Sequence, residues 1–167
     1  MGCLGVHFSL SPEEVRQIRA IDDESERVDY VHEIIEEEYF VNQPERKAES
    51  DKSWDAMHRT LSEGELTWEG GNYPLNHVVL GGELLYTDSD FIMVLKTPDQ
   101  VRDVATDLPG VTEAEFRRRY FEIDPDSYGF PLSEEDFGYT WGWFEGVRDF
   151  WLRAASDGHS VLFSADQ

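Results

Sequence analysis

Apolar positions near both ends of the chain recur with period two, which is typical of strands with alternate side chains buried. Three segments fit strands: Cys3 to Leu10, Phe91 to Leu95 and Ser160 to Ser164. In the last segment Val161 and Phe163 lie on one face and Leu162 lies on the other. The pattern therefore predicts a small antiparallel or mixed sheet that includes the N- and C-terminal strands.

Helical periods account for most of the remaining chain. Ser11 and Thr97 each precede a proline, which is a common arrangement of an N-cap and the first helical residue. We expect the polar segments Gln43 to Lys52 and Asp124 to Leu132 to be loops. The predicted helices are Ser11 to Ile21, Val28 to Asn42, Ser53 to Leu61, Thr97 to Leu108, Thr112 to Tyr120 and Ser133 to Ser156.

The last predicted helix is apolar on nearly all sides, and such a helix is usually buried between layers. The helix from Ser53 to Leu61 places Trp54, Met57 and His58 on one face. We therefore expect both helices at the centre of an α+β fold. The chain has 167 residues, which fits a single domain spanning all of them.

The charge of the chain is strongly negative. Thirty-six acidic residues face 14 lysines and arginines, for a net charge of −22, while 40% of residues are hydrophobic. The hydrophobic content predicts a folded chain with most carboxylates on its surface. Because a negative surface repels phosphates and anionic lipids, we expect no nucleic acid and no membrane as partner, and possible binding to a basic protein.

Cysteine content and motifs narrow the function classes further. Cys3 is the sole cysteine, and the N-terminus lacks a signal-peptide pattern, so we expect a cytoplasmic protein. The sequence contains no nucleophile elbow, phosphate-binding loop or zinc-protease motif. We accordingly expect no cofactor.

Two pairs with Asp-x-x-His spacing are the main candidates for chemistry. Asp29 with His32, and Asp55 with His58, place a carboxylate and an imidazole on one helix face, as helix-borne metal sites do. The catalytic candidates are His58, Asp55 and His32, and all four residues are weak candidates for metal ligands. The alternative is that the aspartates are solvated and that His58 is a core histidine bonded to backbone, which we favour.

Several blocks resemble a known family. They are Lys52 to Ser62 (KSWDAMHRTLS), Pro74-Leu75, Val79 to Gly82 (VLGG), and Ala154-Ala155 with Gly158. Together they resemble the YfbM-like bacterial family, domain of unknown function 1877. The resemblance covers nearly the whole chain and implies a compact cytosolic α+β domain. It implies no activity and no catalytic residues.

Two functional hypotheses follow from the sequence. The first is a non-catalytic interaction protein, such as an immunity or regulatory factor, that presents an acidic face to a cationic partner. The second is an enzyme, acting on a small molecule or through a metal, that uses His58 with Asp55 and His32. We favour the first because the sequence contains no recognisable catalytic motif.

Overall fold

The computed structural model describes residues 4–166, and Cys3, the first residue of the predicted N-terminal strand, lies outside this range. Five strands form one antiparallel sheet in the order β2-β1-β5-β4-β3. The strands are β1 (Gly5–Leu10), β2 (Lys47–Asp51), β3 (Glu83–Leu84), β4 (Phe91–Lys96) and β5 (Ser160–Asp166). The predicted α+β class, with both terminal strands in the sheet, is confirmed.

Helices connect and cover the strands. The helices are α1 (Pro12–Arg19), α2 (Glu24–Tyr30), a π-helix (Val31–Glu36), α3 (Glu37–Val41), α4 (Trp54–Leu61), α5 (Pro98–Asp107), α6 (Glu113–Tyr120), α7 (Pro125–Tyr128) and α8 (Glu134–Ser156). Short 3-10 turns lie at Pro44–Arg46, Leu75–His77 and Leu108–Gly110. Ser11 and Thr97 both form capping boxes, as their sequence positions predict.

Strand β5 is at the centre of the sheet, hydrogen-bonded to β1 on one side and to β4 on the other. Its side chains alternate as the sequence predicts. Val161 and Phe163 join a core cluster with α4, α5, α6 and α8, whereas Leu162 joins a second cluster with α1, the π-helix and α3. Both faces of the sheet are therefore buried under helices.

The prediction of a loop from Gln43 to Lys52 is wrong for its second half, which forms the edge strand β2. Ala48 and Ser50 face inward, toward the core under α8, and the alternate residues are charged. Because the inward residues Ala48 and Ser50 are small, the strand lacks the alternation of large apolar side chains that identified β1 and β5. The predicted loop from Asp124 to Leu132 likewise contains the short helix α7.

Helix α8 differs from the prediction that it is buried on nearly all sides. Phe144, Val147 and Trp151 are buried against the sheet and α4. The opposite side of the helix is exposed and carries Gly138, Gly142, Gly146 and Leu152. The aromatic side chains therefore cover one face of the sheet, and the glycines leave the outer side of α8 open.

None of the helices formed by residues 4–166 combines the length and apolar character required to cross a lipid bilayer.

Close packing at Gly5 gives a first prediction. A Cβ atom there would lie 2.6 Å from Ser50 Oγ and 2.9 Å from Trp54 Cδ1. We expect Gly5→Ala to lower the free energy of unfolding by about 1–3 kcal/mol because these groups must move. The matched control is Gly138→Ala, where the added methyl group meets open space. This control should raise stability by about 0.5–1 kcal/mol. Urea unfolding monitored by tryptophan fluorescence measures both, and equal effects would contradict the packing at Gly5.

Candidate functional site

His58 is fully buried on α4, and both of its ring nitrogens are bonded to backbone. Nε2 lies 2.8 Å from the carbonyl oxygen of Thr67 and donates to it. Nδ1 accepts from the backbone N–H of Leu80 at 3.4 Å. Burial is the main reason that the pKa of His58 is lowered to about 4, so the neutral imidazole is the stable form. His58 thus ties two loop segments to α4.

Asp55 bonds to Arg59 rather than to His58. Arg59 Nε donates to Asp55 Oδ1 at 2.6 Å, and the Arg59 side chain is almost fully buried. The Arg59 guanidinium also donates to the hydroxyl and the carbonyl of Ser127, a residue of α7. Burial raises the pKa of Asp55, and the Arg59 guanidinium acts in the opposite direction. The ion pair lies within α4, and the hydrogen bonds from Arg59 to Ser127 join α4 to α7.

His32 and Asp29 lie across the sheet from His58. His32 packs on the Phe91 ring with 4.8 Å between ring centroids, and its Nδ1 is 3.1 Å from Glu36. Phe91 belongs to the core cluster on the second face, whereas the neighbours of His58 on α4 belong to the first. Asp29 is exposed on α2. The structure therefore does not bring His32 and His58 together.

Metal-ligating side chains do not cluster in the described part of the chain. Residues 4–166 contain no group of three or more histidine, cysteine or carboxylate side chains arranged to hold a metal ion. Asp29 lies at the end of α2 and His32 lies in the π-helix that follows, and the sheet separates this pair from Asp55 and His58 on α4.

Two basic side chains that are not among the candidates from the sequence are buried on the same face of the sheet as Val161 and Phe163. Lys96 is fully buried, its Nζ donates to the carbonyl of Val79, and Nζ lies 5.5 Å from the centroid of the Phe163 ring. His7 packs at 4.8 Å between ring centroids against the same phenylalanine, and its ring nitrogens bond to no other residue within 4–166. Burial lowers the pKa of both groups. The sequence indicates the burial of Lys96 only through its position, because it stands two residues after Val94 and therefore on the same buried face of β4.

An acidic depression of about 250 Å³ opens where β1, β2 and β5 meet at one end of the sheet. Its floor is apolar, and two of its side chains are well exposed, Leu4 by 51% and Phe40 by 43%. Four carboxylates surround the floor: Glu36, Glu49, Asp51 and Asp166. Trp143 from α8 closes one side. We call this feature the acidic depression.

The backbone at the acidic depression is irregular. The register of β1 and β2 shifts between Gly5 and Val6, which is a β-bulge. Asp51 has a φ of +46°, a conformation that aspartate tolerates better than most residues. Bulges re-aim side chains at sheet edges and near binding sites. Here the bulge accompanies the lining of the depression by both Glu49 and Asp51.

Electrostatics at the acidic depression are dominated by carboxylates. Burial raises the pKa of Glu36; the nearby His32 lowers it, and the charge of Asp166 raises it further. Glu49 is paired with Lys47. Asp166 has no ion-pair or hydrogen-bond partner for its side chain within residues 4–166. The depression can therefore accept a cation from outside the chain.

Comparisons with known proteins are consistent with this fold and provide no function. The model of the family described as domain of unknown function DUF1877 matches residues 1–164. Among solved structures, the chain is similar to YfbM from Escherichia coli, a protein of unknown function. The two are 21% identical, the match covers 97% of this chain and 99% of YfbM, and the TM-score is 0.67. No curated protein matches the chain.

The buried position of His58 predicts a specific pH dependence. Its pKa in the folded chain, about 4, lies below the ordinary value of 6.5, so its contribution to stability is present above pH 6.5. That contribution should be lost as the pH falls from 6.5 to 4. Urea unfolding at several pH values should show the wild type losing about 3 kcal/mol more than His58→Gln over this interval. Parallel curves for the two proteins would contradict the assignment of a neutral, bonded His58.

The buried position of Lys96 predicts a second pH dependence of stability, at alkaline pH. Because burial lowers its pKa in the folded chain, the unfolded chain binds the proton more tightly, and wild-type stability should rise with pH up to the ordinary lysine range. Relative to Lys96→Met, the wild type should gain stability as the pH rises toward the ordinary lysine pKa of 10.5, by at most about 1.4 kcal/mol per pH unit. Lys52→Met, at an exposed position, is the control and should show no such slope.

Proposed function

The chain belongs to the DUF1877 family, and we propose that it is a non-catalytic interaction protein that binds a basic protein segment in the acidic depression. The observation that carries the proposal is the combination of an exposed apolar floor with four carboxylates around it. A cationic side chain with an apolar stem matches both features at once.

The chain itself contains an example of the proposed contact. Lys47 Nζ lies 4.0 Å from the centroid of the Phe40 ring and 2.8 Å from a carboxylate oxygen of Glu49. A cation held between an aromatic ring and a carboxylate is attracted by both. Phe40 and Glu49 both line the depression. The depression extends this chemistry to Trp143, Asp51 and Asp166, which lie around the same floor.

Arginine fits the depression better than lysine. Its planar guanidinium stacks on aromatic rings and donates in pairs to carboxylates, and it is less strongly hydrated than an ammonium group. The rings of Phe40 and Trp143 offer stacking surfaces, and Asp51 and Asp166 offer acceptors. We therefore infer a partner segment in which arginine stands next to apolar residues.

The net charge of −22 supports the same class of partner. A strongly negative protein attracts basic partners over a distance and accelerates their association, most of all at low ionic strength. Such a field does not choose a site on the surface. In this proposal the apolar floor provides the selection, because it adds contact area to the charge of the four carboxylates.

We further propose a bacterial cytoplasm as the place of action. The similar protein YfbM is from Escherichia coli. The sole cysteine of the chain is consistent with a reducing compartment. A regulatory or immunity-like role, in which the chain covers the basic surface of another protein, agrees with the bacterial relative and with a reducing compartment.

The test is calorimetric titration with a short synthetic peptide of alternating arginine and leucine residues. We expect saturable binding that weakens as salt rises from about 50 mM to about 500 mM. The double variant Glu49→Gln, Asp166→Asn replaces two of the four carboxylates of the depression. It should weaken binding about tenfold, which is a loss of about 1.4 kcal/mol in binding free energy. Phe40→Ala should weaken it to a similar extent because it removes the stacking surface.

The matched control is the double variant Glu65→Gln, Glu69→Gln, which removes the same charge from an exposed loop elsewhere. Its affinity should stay within about twofold of the wild type at equal ionic strength. Equal losses in the two double variants would mean attraction by net charge alone. That result, or the absence of saturable binding, would overturn the proposal.

A further inference from the structure

We propose that a second site, a cavity of about 420 Å³ on α4 and α6, binds an amino-acid-type zwitterion. The wall comes from the end of α4, the loop of residues 63–75, the end of α5 and the second half of α6. Cavities of this volume are typical of small-molecule sites. Its charged side chains are Arg59, Glu63, Asp107, Arg118, Arg119 and Glu122.

Two of these charged groups already have partners within the chain. Arg59 is held by Asp55 and Ser127, as described above. Glu63 accepts a hydrogen bond of 2.5 Å from the side-chain amide of Asn72, which also lines the cavity. Neither group is therefore free to recognise a ligand without breaking an existing contact.

The two arginines of α6 that line the cavity differ in how many of their donors are already used. Arg118 donates to Glu115 with Nε and one terminal nitrogen, and to Glu122 with the other. Arg119 donates to Glu115 through Nε alone, at 2.8 Å. Within residues 4–166, the two terminal nitrogens of Arg119 make no hydrogen bond. Arg119 thus presents an unused pair of donors, which is the geometry that binds a carboxylate.

Asp107 provides the opposite charge. It is the last residue of α5 and lines the same cavity as Arg119. Its carboxylate makes no hydrogen bond or ion pair with any residue of the described range 4–166. Once the paired groups are set aside, one guanidinium edge and one carboxylate remain unused on the cavity wall.

A ligand that satisfies both unused groups carries one carboxylate and one ammonium group. An α-amino acid or a dipeptide has this chemistry, and either fits in the volume. Leu61, Pro74 and Leu75 also line the cavity and give it an apolar part. We therefore expect an apolar or aromatic side chain on the ligand. The site shares no lining residue with the acidic depression, so it stands or falls independently of the proposed protein interaction.

The test compares L-phenylalanine with two analogues by calorimetry. Phenylalaninamide lacks the carboxylate, and N-acetylphenylalanine lacks the ammonium group. The wild type should bind L-phenylalanine at least about tenfold more tightly than either analogue, because each analogue leaves one charged group without its partner. Free L-leucine should also bind, through the same two groups.

Variants assign the two ends of the ligand. Arg119→Gln should lose the preference for L-phenylalanine over phenylalaninamide and keep its preference over N-acetylphenylalanine. Asp107→Asn should lose the preference for L-phenylalanine over N-acetylphenylalanine and keep its preference over phenylalaninamide. Arg102→Gln, on the exposed side of α5, is the control and should bind as the wild type does. The melting temperature of each variant shows that it is folded.

Three results would overturn the inference. The first is no saturable binding of L-phenylalanine or L-leucine by folded wild-type protein. The second is equal affinity for L-phenylalanine and N-acetylphenylalanine. The third is a loss of affinity in Arg119→Gln that is the same for the amino acid and its amide, because the arginine would then support the fold rather than hold the carboxylate.

Discussion

The rest of the structure depends on the burial of the central strand β5 on both faces. Val161 and Phe163 need a cover on one side and Leu162 needs one on the other, so helices are packed on both sides of the sheet. This constraint separates the residues that the sequence suggested as a site. His58 lies with α4 on the first face, and the π-helix carrying His32 lies on the second. A five-stranded sheet between them prevents the two imidazoles from sharing a metal or a substrate.

Burial on the first face also decides what its basic side chains do. His58, Lys96 and His7 are all removed from water, and burial lowers the pKa of each. A neutral His58 serves as one donor and one acceptor, and it connects Thr67 and Leu80 to α4. Both ring nitrogens of His58 are therefore occupied by hydrogen bonds that stabilise the fold. We therefore propose that the functional surface lies where the packing ends, at the open end of the sheet and at the cavity beside α6.

Local signals made most of the fold predictable from sequence. The caps at Ser11 and Thr97 and the alternation in β5 depend on neighbouring residues, and they agree with the structure. Strand β2 was missed because its inward residues are small, and its pairing with β1 is a long-range contact. The acidic depression was missed for the same reason: its lining residues are scattered from Leu4 to Asp166 and meet only at the end of the sheet. The unused donors of Arg119 depend on which contacts Glu115 makes, and spacing along the chain does not specify these.

The central claim is that the acidic depression, rather than the negative surface as a whole, binds a basic segment. The most direct measurement is a map of backbone amide chemical shifts by NMR during titration with the arginine-leucine peptide. We predict that the largest changes occur at Leu4, Phe40, Asp51, Trp143 and Asp166, with saturation at a single affinity. Small changes spread over all acidic helices, or changes centred on the loop that carries Glu65 and Glu69, would contradict the claim.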